Sequence, residues 1–246
     1  MRITSRTCAI SLLIALGCQP ARARQDPPPE PGPEARFERD MLVRFHMHQS
    51  FDLVRAIEKL LVRGNLEDAR AFARAIAEAP EEPGLGPWAR QAALVRERAG
   101  ALAGATTLED ACRGEARLAA ACASCHVDAG VQPDFRSIQP PPDRPTVDAR
   151  MARHQWATGR LWEGLIGVGG ADAAWRDGLD VLASTPLPAP QLARADLARR
   201  LQQLADGARQ RSRTDTLADR ARTYGELLAT CAGCHTTRPA ARAGAQ

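Results

Sequence analysis

Two stretches decide how this chain folds. One begins Thr107-Leu108-Glu109-Asp110 and runs on to Cys122-Ala123-Ser124-Cys125-His126; the other begins Thr216-Leu217-Ala218-Asp219 and runs on to Cys231-Ala232-Gly233-Cys234-His235. In each, the threonine stands 15 residues before the first cysteine, and the copies are offset by 109 residues. A threonine N-cap with an acid three residues later marks a helix start, so each stretch reads as one helix with the cysteine motif at its end. Working outward, Pro87 to Gly104 and Pro190 to Gly207 each read as a helix opened by proline and closed by glycine. Amphipathic patterns over 37–63 and 66–79 have counterparts over 147–167 and 171–184. The predicted fold is all-α: two tandem four-helix bundles, each with its cysteine motif at the end of the fourth helix.

Composition agrees. The 246 residues are 44% hydrophobic and 25% charged, ordinary for a globular protein and too rich for wholesale disorder. Aromatics are 4%, and alternating runs of Val, Ile and Thr are missing, which argues against a β-sandwich or barrel. A formal net charge of +4 leaves no electrostatic footprint for nucleic acid.

The chain divides as follows. Residues 1–23 read as a signal peptide: Arg2 and Arg6 precede an apolar stretch from Cys8 to Gly17, too short to span a bilayer. Ala15-Leu16-Gly17-Cys18 resembles a bacterial lipobox, with cleavage before Cys18 and a lipid anchor on it. The competing cleavage site, Ala21-Arg22-Ala23, would release a soluble protein. Residues 24–36 read as a proline-rich linker, 37–130 as the first four-helix domain, 131–145 as a second linker with five prolines, and 146–240 as the second domain. The expected location is the periplasm or cell envelope of a bacterium, with membrane contact only through Cys18. The linker is expected to make the halves separable by proteolysis.

The chemistry lies in the repeated Cys-x-x-Cys-His. On a helix, residues i, i+3 and i+4 share a face. Two thiols one turn apart can form thioethers to both vinyl groups of a haem, and the histidine then points at the iron. This is the pattern of c-type haem attachment. Two covalently bound haem c groups are therefore expected, one on Cys122 and Cys125 with His126 as iron ligand, the other on Cys231 and Cys234 with His235. A disulfide oxidoreductase would need a βαβ context, and zinc sites bring their two Cys-x-x-Cys pairs much closer in sequence. Cys112 has no cysteine counterpart in the second half and reads as a small buried residue. Trp156, Trp162 and Trp175, at helical spacing, read as core.

The methionines are Met1, Met41, Met47 and Met151, and none follows the second motif, so a sixth ligand must come from upstream. In this layout the repeats resemble the class II cytochromes c, the cytochrome c-prime group. Met47-His48-Gln49-Ser50-Phe51 and Met151-Ala152-Arg153-His154-Gln155 are similar to the Met-x-x-His stretch in helix 1 of that group, with Ser50 standing where His is expected. The resemblance implies a haem motif on helix 4 and a distal residue from helix 1. His154 shares the apolar face of its helix with Val147, Met151, Leu161 and Leu165 and is the candidate at haem 2. At haem 1, alignment of His48-Gln49 with His154-Gln155 points to His48. Helical phase instead places His46 among Leu42, Leu53, Ile57 and Leu60, and favours His46. The expected function is electron transfer with redox protein partners, without catalysis. The alternatives are a five-coordinate haem that binds NO or CO, and a haem peroxidase.

Overall fold

The computed structural model describes residues 32–80, 85–135, 138–167, 169–187 and 194–236. The signal segment and Cys18 lie outside the described residues. Among those described there are eight α-helices and no strand, as the all-α reading requires. They are α1 (Pro33–Val62), α2 (Leu66–Ala77), α3 (Ala89–Ala103, entered through a 3-10 turn at Gly86–Trp88), α4 (Leu108–Asp128), α5 (Val147–Ile166), α6 (Asp172–Ser184), α7 (Ala195–Arg211) and α8 (Leu217–Thr236).

The caps explain most boundaries. The Thr107 hydroxyl accepts the Asp110 amide at 3.1 Å and the Thr216 hydroxyl accepts the Asp219 amide at 3.2 Å. In the second copy Asp219 returns the bond by accepting the Thr216 amide at 3.1 Å, a complete capping box. Thr146 caps α5 and Asn65 caps α2 in the same way.

Two boundaries differ from expectation. The segment 24–36 is not linker throughout, because α1 already starts at Pro33, where proline needs no donor and its fixed φ suits a helix. Helix α7 runs a turn past Gly207, because Ala205 and Ala208 are both buried, and packing carries the helix through the glycine.

Consecutive helices within each half pack against one another, and α4 also packs along most of α8. Small residues permit that approach. A Cβ added at Gly225 would lie 3.1 Å from the Arg113 Cα and 3.3 Å from the Ala116 Cβ. The pair is antiparallel: Leu108 and Glu109 share one cleft with Thr230, Gly233 and Thr236, while Ala120 and Ser124 share another with Ala218 and Ala221. The first helix of each half touches both fourth helices. One cluster of buried apolar residues runs through both halves, from Val54, Ile57 and Leu61 on α1 through Leu118 on α4 to Leu165 and Leu228.

Arg220 draws the halves of the second repeat together. Its guanidinium donates to the Gly164 carbonyl at 2.8 Å and to Asp172 at 2.6 Å, and lies 5.5 Å over the Trp175 ring. The segment between the halves lies along α5. Trp156 donates to the Ile138 carbonyl at 3.1 Å and Arg153 to the Pro141 carbonyl at 2.7 Å. Trp162 and Trp175 are core residues and Trp156 is half-buried.

Candidate functional site

Each cysteine motif occupies the last turns of its helix. Among the described residues Cys122, Cys125, Cys231 and Cys234 form no disulfide, and all are partly exposed. Burial, followed by the neighbouring thiol of the same motif, pushes Cys122 and Cys231 each up to about 12. In the polypeptide alone these thiols are therefore neutral. The antiparallel pairing sends the motifs to opposite ends of the α4–α8 pair. Gly225 lies level with residues 113–116, so Cys122 and Cys231 are about 20 Å apart along the axis at 1.5 Å per residue. The four cysteines thus form two sites and not one shared centre. Among the described residues no group of three His, Cys, Asp or Glu is arranged to hold a bare metal ion.

The first motif shows a histidine already oriented. His126 Nδ1 lies 3.0 Å from the carbonyl oxygen of Ile166, at the end of α5. A carbonyl can only accept, so Nδ1 carries the proton and the Nε2 lone pair is left for a metal. A hydrogen bond of this kind fixes tautomer and ring orientation in metal-ligating histidines. Among the described residues, Val127 next to the motif and Phe45, Met47 and Phe51 on α1 keep apolar surface exposed. The residues present fit a covalently attached haem.

The distal candidates can be placed by height. Glu58 on α1 and Glu115 on α4 interact across the antiparallel helices. Met47 lies 11 residues before Glu58 and His126 lies 11 after Glu115, so Met47 and His126 stand level, with His46 one residue away. His46 is half-buried, on the face that carries Ile57 to the core, whereas His48 is exposed. Burial of the two histidines follows helical phase and not the short sequence match. The structural register says why: α1 ends at Val62 and α5 at Ile166, an offset of 104 that pairs Met47 with Met151 and Ser50 with His154.

His154 behaves differently from the expected iron ligand. It is buried, and its Nε2 lies 2.7 Å from the Thr185 carbonyl at the end of α6. Burial is the main force holding its pKa below the usual value. By the repeat, Met151 stands to His235 as Met47 stands to His126, which leaves His154 about 5 Å further along α5.

One feature was not foreseen from sequence. At the crossing of α1, α4, α5 and α8, two acids are buried together. Glu58 is 5% exposed and forms an ion pair with Arg55. Glu115 is 0% exposed, and neither carboxylate oxygen makes a hydrogen bond of ordinary geometry, although the Trp162 N–H is close enough to favour its ionised form. Burial raises both pKa values, and for Glu115 the neighbouring Glu58 adds to the rise. An acid whose folded pKa lies above its unfolded value stabilises the fold while protonated and loses that contribution as pH rises through the folded pKa. Glu115→Gln keeps the shape without the charge. It is expected to raise the melting temperature at pH 8 and change it little at pH 4, as read by thermal scans at both.

Comparison with protein-family models, with curated proteins and with solved structures found no match.

Proposed function

We propose that this chain is an exported dihaem c-type cytochrome that passes electrons between redox protein partners, built from two class II-like four-helix repeats. The observation that carries the reading is the Ile166 carbonyl on His126 Nδ1, beside two thiols on the same helix face. Cys122 and Cys125 would hold the first haem and Cys231 and Cys234 the second, with His126 and His235 as iron ligands. Each haem supplies a one-electron couple when bound. The chain's own residues anchor the two groups, fix the His126 imidazole and keep the motifs at opposite ends of α4 and α8. No helix among the described residues is long and apolar enough to cross a membrane; the proposed membrane contact is the anchor at Cys18.

The test is intact mass and pyridine haemochrome counting on protein matured in a cytochrome c-competent host. Two haems that resist acid-acetone extraction are expected. One, or none, overturns the reading.

At haem 1 the proposed sixth ligand is His46. His46→Ala should convert that haem from low-spin to high-spin in electron paramagnetic resonance of the oxidised protein. The Thr185 contact favours a second reading at haem 2. With His154 engaged in the core, the sixth position falls to the Met151 thioether or to an external ligand such as CO or NO. His154→Ala should then leave the spin state of haem 2 unchanged. CO added to the reduced protein should shift the Soret band at haem 2 if the position is open, and leave it if Met151 closes it.

A further inference from the structure

The buried acids at the crossing of the four central helices have no part in attaching haem. Two carboxyl groups removed from water beside each other cost far more than leucines of similar size would, and at Glu115 the Arg55 charge and the Trp162 N–H offset only part of that cost. Their placement relative to the motifs is regular. Glu115 precedes Cys122 by seven residues, and Tyr224 precedes Cys231 by seven. Seven residues bring a helix to within about 20° of two full turns, so each shares the face of its own motif. The fields of the acids reach both sites: Glu115 raises the Cys122 thiol and Glu58 raises the Cys231 thiol.

The surroundings are identified on every packed element. On α1, Arg55 and Lys59 lower the Glu58 pKa. On α4, Glu115 also acts on Cys112, which is fully buried. On α5, the Trp162 ring lies 4.7 Å under the Arg55 guanidinium, and Glu163 feels the same arginine. On α8, the buried Tyr224 hydroxyl faces both acids, whose charge together with burial holds its pKa well above the usual value. Arg55 acts on both acids and Lys59 adds to it at Glu58, but burial outweighs them and both pKa values stay raised.

We propose that Glu58 and Glu115 form a proton-binding site linked to haem reduction, which rests on the dihaem reading. Were a haem held at either motif to take one electron from an external one-electron donor, a carboxylate of the pair would take one proton from solvent and form an O–H bond. Charge added at the iron is balanced by charge removed between the two sites. Reoxidation by the acceptor releases the proton, and no other bond forms or breaks.

Potentiometric titration of the holoprotein from pH 5 to pH 9 tests this. Midpoint potentials should fall as pH rises, approaching a tenfold change in the reduction equilibrium per pH unit, about 59 mV for a one-electron couple, over part of that range. Haem propionates can add a slope of their own, so the decision lies with Glu58→Gln and Glu115→Gln. Each variant should lose part of the slope and keep both haems. Reduced-minus-oxidised infrared difference spectra of the parent should also show a protonated-carboxyl band that shifts in deuterium oxide and disappears in the variants. Unchanged slopes in both variants overturn the proposal. So does a parent spectrum without that band, which decides the matter even where a variant fails to fold. Haemochrome counts on the same samples separate the two readings: two haems with no carboxyl response sinks only this proposal, whereas missing haem sinks the cytochrome itself.

Discussion

Cys231→Ser combined with Cys234→Ser is expected to leave one covalent haem where the parent carries two. The motifs lie about 20 Å apart along antiparallel helices and share no residue, so losing the thioether donors at one end leaves Cys122, Cys125 and His126 intact. Intact mass should fall by one haem. The remaining haem should keep the spectrum assigned to the first site, including the effect of His46→Ala. Loss of both haems would show that the first site cannot mature alone.

Gly225→Leu is expected to destabilise the whole molecule in one step. The glycine lies where α8 crosses α4, and a Cβ there already meets Arg113 and Ala116 at 3.1 and 3.3 Å, the nearer contact being backbone. A leucine must separate the helices, and overpacking of this kind costs about 3 kcal/mol. For a chain of this size that lowers Tm by roughly 6–12 °C. Since one apolar cluster joins both halves, calorimetry should show a single transition that moves as a unit. Two transitions, of which only the second moves, would restore the separable halves that the proline-rich connection suggests. Proteolysis between Val131 and Pro145 should be slow, because that segment is hydrogen-bonded along α5.

The helix starts at Thr107 and Thr216 and the stop at Gly104 were legible because they rest on local chemistry. The two cysteine motifs stood out because the same spacing recurs at one offset. What was hidden depended on contacts between distant segments. Gly207 looks like a stop only until Ala208 is found in the core. At the α4–α8 contact Gly225 meets Cys112, Arg113 and Ala116, mostly small residues that add little to a hydrophobic pattern, although a stripe of small residues on both fourth helices was there to be noticed. Glu58 and Glu115 look like ordinary solvated positions because their burial comes from helices belonging to both halves. His154 was placed correctly on an apolar face, but its partner, the Thr185 carbonyl, lies 31 residues away.

The antiparallel pairing of α4 with α8 is the kind of self-complementary contact by which two identical subunits associate around a two-fold axis. Here a single chain supplies both partners. Identical subunits must change in step, since any substitution appears on both sides of the axis. A tethered pair is free of that constraint. The two copies differ at the axis itself, where Glu115 in one corresponds to Tyr224 in the other, and again where Ser50 in one copy corresponds to His154 in the next. On the dihaem reading, the two motifs can thus hold groups of different affinity for an electron, and that inequality would give the molecule an entrance and an exit.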